Sequence, residues 1–223
     1  MNIKGAIFDM DGTLIDSLIF WDYYWLELGK KYKGDENFRP SPEDDRAVRT
    51  RVTKDASAFI KEKYNFTQSV DELYTFVMDL IKHFYRNIVK EKLGATPLLK
   101  YLKDKGVKIC LATATDMENV VIAIKSCGLE EYFDVVLSCA DIGKGKDQPD
   151  IYINAIKELN MTKDDVCIFE DSFVAIETAK KLGVQTVGIF DINNYGQDRL
   201  KNASDFYLDE GLPLTEIINH IEV

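Results

Sequence analysis

The sequence predicts the α/β class, a parallel sheet flanked by helices and broken once by an all-helical insertion. Three observations carry that reading. Short apolar runs at residues 6–8, 107–112, 133–137, 166–169 and 186–189 are followed by polar loops or helical patterns rather than by hairpin turns. Several of these runs stop abruptly at acidic or hydroxyl residues, as buried strands do where their carboxyl ends meet a ligand crevice. From residue 17 to about residue 92, by contrast, the pattern is of helices without convincing strands. A length of 223 residues exceeds one average domain and falls short of two, which suits a core at 1–16 and 94–223 carrying an insertion at 17–93.

The first strand holds Ile3, Ala6, Ile7 and Phe8 and runs into Asp9-Met10-Asp11-Gly12-Thr13. An extended chain alternates faces, so Asp9 and Asp11 leave the strand end on the same side. Two like charges in one small space call for a cation or a shared proton, and hard carboxylate oxygens suit Mg²⁺. Gly12 lets the backbone turn away. The competing reading is a strand-to-loop turn in which Asp and Gly supply only turn chemistry.

The insertion opens with Leu18, Trp21, Trp25 and Leu28 at helical spacing, and residues 34–42, with one glycine and two prolines, form a loop. Ser41 and Pro42 start a second helix, residues 55–63 make a third, and Asn65 ends it. The clearest helix follows Ser69-Val70-Asp71-Glu72, a capping-box pattern, with Leu73, Val77, Leu80, Ile81, Phe84 and Ile88 as its apolar stripe. Trp21 and Trp25 read as core rather than as a stacking platform. Arg46, Arg49, Arg51 and Lys54 form the dense basic group of the insertion, either a solvated face balanced by Glu43, Asp44 and Asp45 or a clamp for a substrate anion, with Arg49 the candidate contact. His83 and His220 read as surface or packing residues on helices.

Residues 94–97 read as the return linker, and Leu98, Leu99 and Leu102 as a helix stopped by Gly106. The strand at 107–112 ends in Thr113-Ala114-Thr115-Asp116, where the hydroxyls either cap the next helix or bind an anion. After the strand at 133–137 comes a glycine-rich loop with Lys144 and Lys146 before Pro149-Asp150. The glycines make the loop flexible enough to deliver a lysine to the strand ends, the competing reading being ordinary exposed loop lysines. The strand at 166–169 ends in Glu170-Asp171-Ser172, an acidic helix start that the helix dipole favours in any case. Gly183 stops that helix, and strands at 186–189 and 206–208 and a helix at 214–221 complete the chain.

Taken together, Asp9-Met10-Asp11-Gly12-Thr13, the strand-end Thr113, Lys146 before Pro149-Asp150, and Glu170-Asp171 resemble the four ordered motifs of the haloacid dehalogenase-like phosphohydrolases. The helical insertion is similar to the cap that follows the first motif in the phosphatase and beta-phosphoglucomutase-like branch. The resemblance covers essentially the whole chain and implies a Rossmann-like parallel sheet with an inserted α-helical cap, and a site between the two. It implies that Asp9 attacks a phosphate monoester and that Asp11 acts as general acid and then general base. Thr113, Ala114 and Lys146 would bind the transferred phosphoryl group, with Arg49 the candidate from the insertion. Asp9, Asp11 through its carbonyl, Glu170 and Asp171 would hold Mg²⁺.

Sugar phosphomutases of the same branch carry a histidine about ten residues past the second motif aspartate, where it serves the acid/base group. Counting from Asp11 reaches Trp21, flanked by Phe20 and Asp22. Hydrolysis of a small phosphorylated metabolite is therefore the expected activity, ahead of a mutase. A receiver-like phosphoacceptor module is a third reading, which the insertion disfavours.

Composition sets outer limits. A net charge of −10 argues against a nucleic-acid surface. The four cysteines, Cys110, Cys127, Cys139 and Cys167, lack paired C-x-x-C spacing and read as reduced residues. With no apolar run long enough to span a bilayer and no signal peptide visible, the expectation is a cytoplasmic protein, monomeric or weakly dimeric.

Overall fold

The computed structural model describes residues 1–49 and 51–222. The chain divides into two compact units, Met1–Leu18 with Val89–Val223, and Ile19–Ile88. The return crossing at residues 89–93 thus groups with the sheet unit rather than with the insertion. Hydrogen bonds from Asp16 N to Lys90 O and from Lys92 N to Leu14 O tie it to the outgoing crossing.

The sheet unit is built on six parallel strands in the order β3-β2-β1-β4-β5-β6. They are β1 (Gly5–Phe8), β2 (Lys108–Thr113), β3 (Val135–Ser138), β4 (Val166–Glu170), β5 (Gln185–Ile189) and β6 (Phe206–Leu208). Every residue of β1 is buried, because the strand lies between β2 and β4 and is covered on both faces, which is why it reads as an unbroken apolar run. Phe8 pairs with Leu111 on one side and Phe169 on the other, and the Phe8 and Phe169 rings stack with centroids 4.2 Å apart. This register brings the carboxyl ends of β1, β2 and β4 to one edge.

Helices α5 (Ala95–Asp104), α6 (Met117–Ser126), α7 (Cys139–Ile142), α8 (Asp150–Glu158), α9 (Phe173–Leu182) and α10 (Gln197–Ala203) complete this unit. The sequence reading has no helix at α7 or α10, and two further elements differ from it. Helix α5 starts at Ala95, so Pro97 lies in its first turn, where a missing N–H costs no intrahelical bond. The closing segment Leu214–His220 is a 3₁₀ helix.

The helical unit contains α1 (Phe20–Lys33), α2 (Pro42–Arg49), α3 (Thr53–Lys63) and α4 (Val70–Asn87). Phe20, Tyr24, Trp25, Leu28, Ile60, Val77 and Phe84 form its core. Trp25 is buried and donates from Nε1 to Asp45 Oδ1 at 2.6 Å, while Trp21 is half-buried with its edge on Phe20 and Tyr24. Both tryptophans are packing residues here. At the head of α4, Ser69 and Glu72 form the reciprocal capping box. Among the described residues no helix is long and apolar enough to cross a membrane.

Candidate active site

The site grows from the turn after β1. Asp9 N–H still pairs with Phe169 O, so the first carboxylate is carried at the strand tip. The N–H groups of Leu14 and Ile15 then donate to Met10 O at 2.9 and 3.1 Å, and Gly12 N–H donates to Ile15 O at 2.9 Å, folding the chain back on itself. Gly12 has φ +79°, and a Cβ there would collide with Oδ2 of Asp171. Glycine is thus required both by the backbone and by the approach of a second carboxylate.

Asp171 and Glu170 arrive from the end of β4, directly beside β1. Both are buried, at 3% and 1% exposure, and Asp9 is buried at 7%, values far below what unpaired carboxylates tolerate. Carboxylate oxygens of Asp9, Glu170 and Asp171 lie within 4.8 Å of one another. Lys146 Nζ, from the loop before α8, donates to both Asp9 Oδ1 and Glu170 Oε1. Tyr152 of α8 also donates to Glu170 Oε1, at 3.1 Å. Lys144 instead pairs with Asp150 at the surface.

The electrostatics follow from burial. Removal from water pushes the Asp9 carboxyl up to about 7, with Glu170 and Asp11 adding to the shift and Lys146 opposing it. Burial also drives Asp171 well above the usual carboxylate range, reinforced by Asp9 and Glu170 and opposed by Asn194. Burial alone would lower the Lys146 pKa, but Asp9 and Glu170 reverse this and hold it above its ordinary value. Three carboxylates facing one ammonium leave a formal excess of two negative charges, which matches a divalent cation, and the all-oxygen donor set suits a hard one.

Asp11 is held apart from this triad. Ser17 Oγ donates to its Oδ1 at 2.6 Å and Thr115 Oγ1 to its Oδ2 at 2.7 Å, so both oxygens are oriented by hydroxyls. Thr113 is buried at the tip of β2, and its Oγ1 accepts from Thr115 N–H at 3.1 Å. Ala114 is exposed in the bend that follows. Neither threonine caps α6. Asp116 does, accepting from Asn119 N–H at 3.2 Å. Arg49 belongs to the other unit, where its Nε bonds Asp45 Oδ2 at 2.7 Å and its guanidinium lies 5.5 Å from the Trp21 ring centre. In the same basic group, Arg51 lies over the Phe59 ring at 4.4 Å and Lys54 pairs with Asp71.

Several contacts escaped the sequence reading. Ser17, Tyr152 and Asn194 each bond a carboxylate of the site, but each is a single polar residue in a segment with an ordinary local explanation.

Known proteins similar to this chain give its family. The chain is 27% identical over 186 residues to a phosphorylated carbohydrates phosphatase of Thermotoga maritima, covering 83% of this chain and 84% of that protein. It is 28% identical over 188 residues to the validoxylamine A 7′-phosphate phosphatase of Streptomyces hygroscopicus, covering 83% and 85%. Among solved structures, a beta-phosphoglucomutase-like protein of Thermotoga maritima superposes with a TM-score of 0.80 at 25% identity, covering 93% of this chain and 94% of that one. The profile of the haloacid dehalogenase-like hydrolases matches residues 6–189, a span that begins in the strand bearing Asp9, takes in Lys146 and the Glu170-Asp171 pair, and closes with β5, and the chain belongs to that family.

Proposed function

We propose that this protein is a Mg²⁺-dependent phosphatase that hydrolyses a small phosphate monoester, of the sugar-phosphate class, through a phosphoryl group carried on Asp9. The observation that carries the reading is the placement of Asp9 at the tip of the central strand, against Lys146 and within reach of Glu170 and Asp171. Relatives named as phosphatases of phosphorylated carbohydrates and of validoxylamine A 7′-phosphate support the substrate class.

Asp9, Glu170 and Asp171 would hold the cation, with the Asp11 carbonyl as a further oxygen ligand. When bound, it supplies positive charge that keeps Asp9 ionised and draws in the phosphate. An Asp9 oxygen attacks phosphorus as the ester oxygen leaves with its electron pair, and Asp11 gives that oxygen a proton. Asp11 then takes a proton from water as the water oxygen attacks phosphorus and the bond to Asp9 breaks, returning Asp9 as carboxylate. Lys146 lies where it would offset charge on the phosphoryl oxygens and screen Asp9 from the incoming anion. Thr113 and Ala114, at the neighbouring strand tip, complete the proposed phosphoryl-binding edge. Hydroxyls from Ser17 and Thr115 orient Asp11 for both proton transfers.

With Trp21 standing where the related mutases place a histidine, the mutase reading lacks one of its parts, and water is the expected acceptor. The test is release of inorganic phosphate from a panel of sugar phosphates with Mg²⁺ and with chelator. Asp9→Asn should remain folded and reduce release to background. Wild-type turnover in folded Asp9→Asn, or undiminished turnover in excess chelator, would overturn the reading. So would rapid interconversion of sugar 1- and 6-phosphates with negligible free phosphate.

A further inference from the structure

Beyond the four motifs, one side chain from a distant loop reaches the carboxylate cluster. Asn194 lies between β5 and α10, and its Nδ2 donates to Asp171 Oδ2 at 2.6 Å and to the Asp171 carbonyl at 3.1 Å. Its Oδ1 accepts from Tyr195 N–H at 2.8 Å. These contacts settle the orientation of the amide, since the edge facing a backbone N–H must be the acceptor and the edge facing the carboxylate must be the donor.

The loop is tied down in several places. Asn194 N–H donates to Asp191 O at 3.0 Å, Asn193 N–H donates to Asp191 Oδ1 at 2.8 Å, and Gln197 Nε2 donates to Asp191 O at 3.0 Å. Asp191 itself is 4% exposed and pairs at 2.8 Å with Lys92, on the return crossing. A loop held this firmly can direct a side chain as a strand does.

Asp171 needs such direction. Its Oδ1 receives a long bond from Thr13 Oγ1, 3.3 Å, and its neighbours Asp9 and Glu170 repel it. We propose that Asn194 is a positioning residue for the metal site, its amide fixing the Asp171 carboxylate beside Asp9 and Glu170 and so setting the affinity for the divalent cation. The inference rests on the reading that this triad holds Mg²⁺. Partners that orient a ligating carboxylate typically contribute tenfold or more to affinity.

Calorimetric titration of the purified full chain with MgCl₂ tests it without recourse to turnover. Asn194→Ala should weaken Mg²⁺ binding about tenfold, and raising the Mg²⁺ concentration should recover turnover that the variant loses at low Mg²⁺. Asn194→Ser serves as a second, milder variant, a small polar residue suited to a turn whose hydroxyl is too short to reach Asp171. A tenfold loss in folded Asn194→Ser supports the proposal even if the alanine variant does not fold. Affinity within twofold of wild type in either folded variant overturns it. Absence of Mg²⁺ binding by the wild-type chain would instead remove the metal reading, and this inference with it.

Discussion

Proton and metal should compete for the same carboxylates, and the competition can be sized from Asp9. Burial, helped by Glu170 and Asp11, lifts this carboxyl from 3.8 to about 7 despite Lys146. A bound cation needs the ionised form, so each pH unit below 7 should cost up to a factor of ten in apparent affinity. Relative to its high-pH limit, Mg²⁺ binding weakens about twofold at pH 7, about tenfold at pH 6 and about a hundredfold at pH 5. Asp171, also raised, steepens the low-pH end if it too holds a proton. The sign of the stability effect runs the opposite way in the metal-free protein. Between about pH 4 and 7 folded Asp9 keeps a proton that the unfolded chain has released, so the fold loses up to about 4 kcal/mol as pH rises through that window. Calorimetry at pH 5 to 8.5, in pairs of buffers with different heats of ionisation, measures affinity and proton release together. Asp9 alone should give up nearly one proton per Mg²⁺ at pH 6, any proton on Asp171 adding to it, and release should fall as the pH rises to 8.5. An affinity that is flat from pH 5.5 to 8, or binding at pH 6 without proton release, would refute the reasoning.

Two substitutions probe the same cluster from other sides. Lys146→Ala leaves Asp9 and Glu170 buried opposite no ammonium, and should cost about 3–5 kcal/mol in urea denaturation of the metal-free protein at pH 8, with turnover lost; unchanged stability would mean the two carboxylates do not rely on it. Gly12→Ala forces an L-residue into a left-handed conformation and drives a methyl into Asp171 Oδ2, so it should cost at least roughly 1–2 kcal/mol and sharply weaken Mg²⁺ binding; wild-type Mg²⁺ affinity in the folded variant would show that Asp171 can move aside freely.

What could be read from the sequence followed from burial on two faces. Strands β1, β2 and β4 read as continuous apolar runs because helices cover both sides of a parallel sheet, and such runs end visibly where the first polar residue is tolerated. That ending drew attention to Asp9, Thr113 and Glu170, and sheet register carries them to a common edge. The lysine choice was also legible, since Lys146 stands closer to the Pro149-Asp150 helix start than Lys144, and Lys144 spends its charge on Asp150. The supports of the site were not legible. Ser17 lies in the crossing toward the helical unit, Asn194 sits among turn residues and Tyr152 on an amphipathic helix, so each already has a sufficient local reason to be there.

Thr115 shows where local reading stops. A hydroxyl one residue before Asp116, at a helix start, has two uses of comparable worth: it can cap the helix, or it can leave the cap to its neighbour and bond something distant. Asp116 is the better anion for the positive end of α6 and takes the backbone N–H of Asn119. That frees Thr115 to cross to Asp11, a residue 104 positions earlier in the chain. No window of sequence around Thr115 contains Asp11. The decision is made only when β1 and β2 pair in register, which places the two turns side by side and gives the hydroxyl an acceptor that the helix terminus no longer needs it to replace.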